Sequence, residues 1–144
     1  MKVSMACDHG AFKLKEELKS YLEGKGYEIK DCGCYSEASC DYPDTAKAAA
    51  RLVADGECEK GLVLCTTGIG VSIAANKVKG IRCALCHNED CAKMTRLHND
   101  SNVIAMGAKY VEPELAKKMA DIFLETPFSG EERHLNRVKK IEEA

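Results

Sequence analysis

Apolar and polar positions along the chain follow two alternating rhythms. Short apolar runs of strand length (Lys2 to Cys7, Tyr27 to Cys32, Gly61 to Cys65, Ile81 to Cys86 and Asn102 to Met106) alternate with stretches of helical spacing. In the first such stretch Ala11, Leu14, Leu18, Tyr21 and Leu22 share one stripe, with Lys and Glu on the other face, and Gly24 and Gly26 stop it. Pro43 suits a first helical turn and leads an alanine-rich helix to Ala54. Asn88 is placed to cap a helix, with Glu89 and Asp90 in its first turn, that ends near Leu97-His98-Asn99-Asp100. Glu112-Pro113 opens a helix with Leu115, Met119, Ile122 and Phe123 on one stripe. Pro127 and Gly130 interrupt it, and a highly charged helix runs from Glu131 to Ala144.

This alternation predicts an α/β fold, a three-layer Rossmann-like, doubly wound sheet of five parallel strands, within one domain over residues 1–144. The last part, roughly residues 128–144, reads as a helical arm that packs on a partner subunit, because much of it has little apolar surface to bury on its own molecule.

Charge and composition narrow the function. A formal net charge of -2, 6% aromatic residues and no Trp argue against nucleic-acid binding and against stacking platforms for bases. No apolar run has transmembrane length, and the first strand is too short for a signal peptide, so a cytoplasmic protein is expected. Nine cysteines, an odd number with no secretory signal, read as reduced thiols. Cys83-Ala-Leu-Cys86 and Cys32-Gly-Cys34 raise the question of zinc. Residues three apart on a strand face opposite sides of the sheet, however, so neither a metal nor a cofactor is expected.

The chemistry concentrates in Gly61-Leu-Val-Leu-Cys-Thr-Thr-Gly-Ile-Gly70 and the helix-competent residues after it. A strand, a glycine loop and a helix start make an anion cradle, because backbone N–H groups point into the loop. Cys65, at the last strand position, has two readings: a small buried apolar residue, or a thiolate favoured by the helix N-terminus. Ligands of doubly wound sheets bind beyond the C-terminal strand ends, where Asp8-His9, the glycine loop and Lys109 fall. If the first and third strands are neighbours, Asp8, His9 and Cys65 converge on one crevice.

Cys7-Asp-His-Gly10, Asp41-Tyr-Pro-Asp44, Cys65-Thr-Thr-Gly-Ile-Gly70 with Ala74-Ala-Asn-Lys77, Arg96-Leu-His-Asn-Asp100 and Arg133-His-Leu-Asn-Arg137 occur in that order over nearly the whole chain. Together they resemble type B ribose-5-phosphate isomerase, a family that includes allose- and galactose-phosphate isomerases. The resemblance implies a metal-independent aldose–ketose isomerase, with Cys65 as the base that moves a proton between C1 and C2 through an enediolate. It implies that Thr67 and Asp8 contact sugar hydroxyls near the ring oxygen, and that Tyr42 lines the pocket. The backbone from Thr66 through Gly68, Ile69 and Gly70 receives the oxyanion. It further implies that the acid that opens the ring is His98, which with Asn99 would come from the partner subunit of a homodimer or dimer of dimers. By the same resemblance phosphate would be held by His9, Arg133 and Arg137, with Lys109 nearby. His134 lies within the family pattern without a role assigned to it, and His87 is expected to be a capping or surface residue.

Two positions depart from the family. Thr66 stands where glycine is usual, which adds a branched side chain beside the pocket, and Lys109 replaces an arginine fork with a point charge. A subunit of a galactose-6-phosphate isomerase and a non-catalytic phosphosugar-binding sensor are the alternatives.

Overall fold

The computed structural model describes all 144 residues. The elements in order are β1 (Lys2–Cys7), a 3-10 turn (His9–Ala11), α1 (Phe12–Gly24), β2 (Glu28–Asp31), α2 (Tyr42–Ala54), β3 (Lys60–Cys65) and α3 (Ile69–Asn76). They continue with β4 (Cys83–Leu85), α4 (Glu89–Asn99), β5 (Val103–Gly107), α5 (Pro113–Glu125) and α6 (Glu132–Glu142). All strand pairs are parallel, in the order β2-β1-β3-β5-β4. The winding direction reverses between β1 and β3, so the expected neighbours are neighbours and the switch point lies at Cys7 and Cys65.

Strand alternation divides the core. Val3, Met5, Leu62, Leu64, Ile104 and Met106 join the stripes of α1, α4 and α5 on one face. Ala6, Val63, Cys65, Val103 and Ala105 meet the small residues of α2 and α3 on the other. Alanines 46, 49 and 50 let α2 come close enough for the Ser4 hydroxyl to donate to the Ala49 carbonyl at 2.9 Å. Cys86 lies in the first of these cores and Cys83 packs against the second, so the pair occupies opposite faces as the strand period requires.

Three local features differ from the pattern. β4 is three residues long because it is an edge strand, and the Arg82 N–H before it is taken by the Asn102 side chain at 2.9 Å. Lys15, placed by periodicity on the polar face of α1, is fully buried, with Nζ 2.8 Å from both Asp31 carboxylate oxygens and 2.6 Å from the Cys34 carbonyl. A buried ammonium persists only when paired in this way. Finally, α6 rests on α4 of its own chain and buries His134 and Val138, while Leu135 and Ile141 remain exposed. Its end is tied down by the Arg82–Glu142 ion pair at 2.7 Å.

No helix is long and apolar enough to cross a membrane.

Candidate active site

At the end of the central strand β3 the following loop is joined amide by amide to the segment that follows β5. The carbonyl of Cys65 accepts from Ala108 N–H and that of Thr66 from Lys109 N–H, each at 2.9 Å. Gly68 then turns the chain into α3 with φ 78°, a conformation that favours glycine. A Cβ on Gly68 would also fall 2.7 Å from Leu85 Cδ1 and 2.8 Å from the Gly107 nitrogen, so the loop can lie against β5 only without a side chain there. With the turn closed, Gly68 N–H donates to Cys65 Sγ at 3.1 Å and Ile69 N–H to Thr67 Oγ1 at 3.3 Å. Cys65 is buried, at 6% exposure, while Thr66 and Ile69 are exposed. The first-turn amides of α3 lack intrahelical partners and line this loop.

The neighbouring strand brings its own loop to the same place. Asp8 N–H donates to the Leu64 carbonyl at 3.1 Å, which continues the β1–β3 ladder into the loop. The Asp8 carboxylate accepts from Gly10 N–H at 2.9 Å and caps the 3-10 turn. Thr66 Oγ1 sits where a Cβ on Gly10 would be, so the two loops touch directly. His9 is exposed, and its Nδ1 accepts from Cys40 N–H at 3.3 Å, which puts the proton of the neutral ring on Nε2. Tyr42, in the first turn of α2, covers the start of α3: a Cβ on Gly70 would meet its ring at 2.6 Å. Lys109 is exposed, its Nζ 5.7 Å from the centre of the Tyr110 ring. Asp8, His9, Tyr42, Lys109 and residues 65–70 therefore share one end of the sheet.

His98, Asn99, Arg133 and Arg137 do not join them. They line a separate cleft of ≈ 330 Å³ between α4 and α6. His98 and Asn99 are in the last turn of α4, and the chain then passes through Asp100 (φ 46°) to Val103, the first residue of β5. Cys65 pairs with Gly107, the last residue of that strand. Four residue steps, about 13 Å of strand, separate the two ends. Arg133 pairs with Glu131 at 3.0 Å, whereas Arg137 is exposed and makes no ion pair within the chain. A larger cleft of ≈ 770 Å³ beside α3 and β4 shares only Asn99 with the expected set.

His87 neither caps nor faces solvent fully. It is half-buried against Tyr110, ring centres 5.1 Å apart, with Nε2 buried and unpaired, while Asn88 caps α4 through Cys91 N–H at 2.8 Å. Burial pushes the Cys86 thiol up to about 12, and burial likewise raises Cys83. No three His, Cys, Asp or Glu side chains are grouped to hold a metal ion. Gly107, against which the Thr67 backbone lies, and buried His134 were not singled out by sequence pattern. The signal for Gly107 is a glycine at the strand end facing the glycine loop.

This arrangement has close relatives. A family model described as Ribose/Galactose Isomerase matches residues 3–141. The chain is 48% identical to a putative sugar phosphate isomerase, YwlF, of Bacillus subtilis, over 98% of this chain and 95% of that protein. It is 43% identical to ribose-5-phosphate isomerase B of Escherichia coli, over 97% of this chain and 93% of that one. The solved structure of ribose-5-phosphate isomerase B from Clostridium thermocellum superposes with a TM-score of 0.97 at 46% identity, covering 99% of this chain and 96% of that one. With the cysteine, the glycine loop and the aspartate–histidine turn held together as described, the chain belongs to the ribose/galactose isomerase family.

Proposed function

We propose that the protein interconverts an aldose phosphate and its ketose, ribose 5-phosphate and ribulose 5-phosphate being the leading pair, with Cys65 as the base. One observation carries this reading: Cys65 Sγ sits at the strand end with the Gly68 N–H donating to it at 3.1 Å, at the start of the glycine loop. In the open-chain sugar the thiolate takes the C2 proton, and the electron pair left behind forms the C1–C2 double bond of an enediolate. Negative charge moves onto O1, where backbone amides of the Thr66–Gly70 loop other than those engaged by Cys65 and Thr67 receive it. Transfer of the O2 proton to O1 and return of the carbon-bound proton from the Cys65 thiol to C1 give the ketose and restore the thiolate. Asp8 and Thr67 hold hydroxyls, Tyr42 walls the pocket, and the Nε2–H of His9 points a donor at the phosphate.

The acid that opens the sugar ring is His98 of the partner subunit, accompanied by the partner's Asn99, Arg133 and Arg137. Their position at the far end of the sheet supports this reading, since no side-chain motion within one chain spans a strand. Ile69 and Ile73 of α3 and Leu85 on edge strand β4 stay 49%, 57% and 38% exposed, an apolar face suited to a two-fold partner. The decisive experiment incubates the purified protein alone with ribose, allose and galactose phosphates in D₂O and follows them by NMR. Keto product with deuterium entering the sugar is expected from at least one aldose. Tight binding without exchange would point to a sensor, and activity only with a second chain would point to a galactose-6-phosphate isomerase subunit.

A further inference from the structure

His134 has no part in the chemistry above, yet it is 6% exposed while its neighbours Arg133 and Leu135 face solvent. Its Nδ1 is 2.9 Å from Ser129 Oγ, and the Ser129 N–H donates to the Leu97 carbonyl at 3.3 Å. The ring is therefore tied through Ser129 to the helix turn that carries His98. The two imidazoles stack with centres 4.4 Å apart and planes at 37°. The His98 ring makes no hydrogen bond within the chain, so this stack is what orients it. We propose that His134 is a positioning residue for His98, its buried and anchored ring being the plate that holds the acid toward the sugar ring oxygen in the partner subunit's site. This rests on the isomerase reading above.

Charge reinforces the geometry. Loss of solvent first, then the nearby His98 and Arg133, push His134 below the usual histidine range; Glu131 opposes this and Arg137 adds to it. On the α4 side the other charged groups, Arg96 and Asp100, are paired with each other at 2.9 Å. Burial thus favours the neutral ring at His134.

Two measurements test this. Ribose 5-phosphate must open its ring, whereas erythrose 4-phosphate, with O4 esterified, has no furanose to open. His134→Ala should lower kcat on ribose 5-phosphate by about 10- to 100-fold, the scale of a misplaced acid, with KM little changed and the tetrose rate less affected. His134→Phe, which keeps a ring in the stack, should recover most of the loss. Equal losses on both sugars would reduce His134 to a structural residue, and no loss on ribose 5-phosphate would overturn the proposal. Imidazole ¹⁵N NMR of the wild-type protein should show His134 neutral near pH 7, and a protonated His134 there would also overturn it. If the wild type isomerises neither sugar, the isomerase reading fails separately, and the NMR measurement still decides whether His134 behaves as described.

Discussion

Gly68 N–H and Cys65 Sγ, 3.1 Å apart, are joined across the turn from β3 into α3, and the left-handed backbone at Gly68 makes the contact possible. The sulfur is thereby tied to the loop at the end of β3, although the residue itself packs at the margin of the alanine-lined core.

Cys65→Ser should therefore lower kcat by about 10²- to 10⁴-fold, the usual contribution of a positioned base, with the circular dichroism spectrum and melting transition retained. Gly68→Ala should do nearly as much damage without touching the sulfur. A methyl group there meets Leu85 and the β5 backbone, and the Cys65 hydrogen bond is lost as the turn relaxes. Retention of most activity in both variants would remove the proposed base.

If each site draws Cys65 from one subunit and His98 from the other, two dead variants should rescue one another. Coexpressed Cys65→Ala and His98→Asn chains form mixed dimers in which one of two sites is whole, which restores about a quarter of wild-type activity under random assortment. Sites built within single chains would show no recovery. Arg137→Ala should chiefly raise KM, since phosphate binding is shared by ground and transition states.

Much of this was legible in the residues. β1 runs Lys2–Cys7 as its apolar run implies, and Asn88 caps α4 as its place before Glu89-Asp90 implies. Parallel β-α units also return each helix to the opposite sheet end, so the separation of His98 from Cys65 follows from chain order alone. Contacts that join distant residues were not legible. Lys15 reads as a surface lysine because its partner Asp31 is sixteen positions away on β2. His134 sits among exposed charges, and only the fold of α6 onto α4 reveals it as buried. Edge position, which no local pattern encodes, shortened β4.

The contact of Thr66 with Gly10 predicts a change of substrate preference. Thr66 is exposed at the mouth of the crevice, its hydroxyl against the Asp8–Gly10 turn. Thr66→Gly opens that space, and kcat/KM for six-carbon phosphates should rise relative to ribose 5-phosphate by about tenfold, within the range of one or two carbon groups in a pocket. An unchanged ratio across the sugar panel would place the Thr66 side chain outside the substrate's reach.

Lys15 and Asp31 make stability depend on acid. Burial alone would raise Asp31, but the Lys15 hydrogen bond, the Gly33 amide and the Lys19 contact outweigh it and hold the carboxyl below its ordinary value. A depressed folded value means that the unfolded chain takes up the proton first, so the pair stabilises the fold fully above about pH 5. That contribution is lost as the pH falls below ~4 through the folded value. Lys15→Met leaves Asp31 with only Lys19 and the Gly33 amide, and removal of one partner from a buried pair costs about 3–5 kcal/mol near neutral pH. The same variant should lose stability less steeply in acid than the wild type. Urea unfolding at a series of pH values measures both effects, and parallel acid limbs for the two proteins would show that another carboxylate sets the slope.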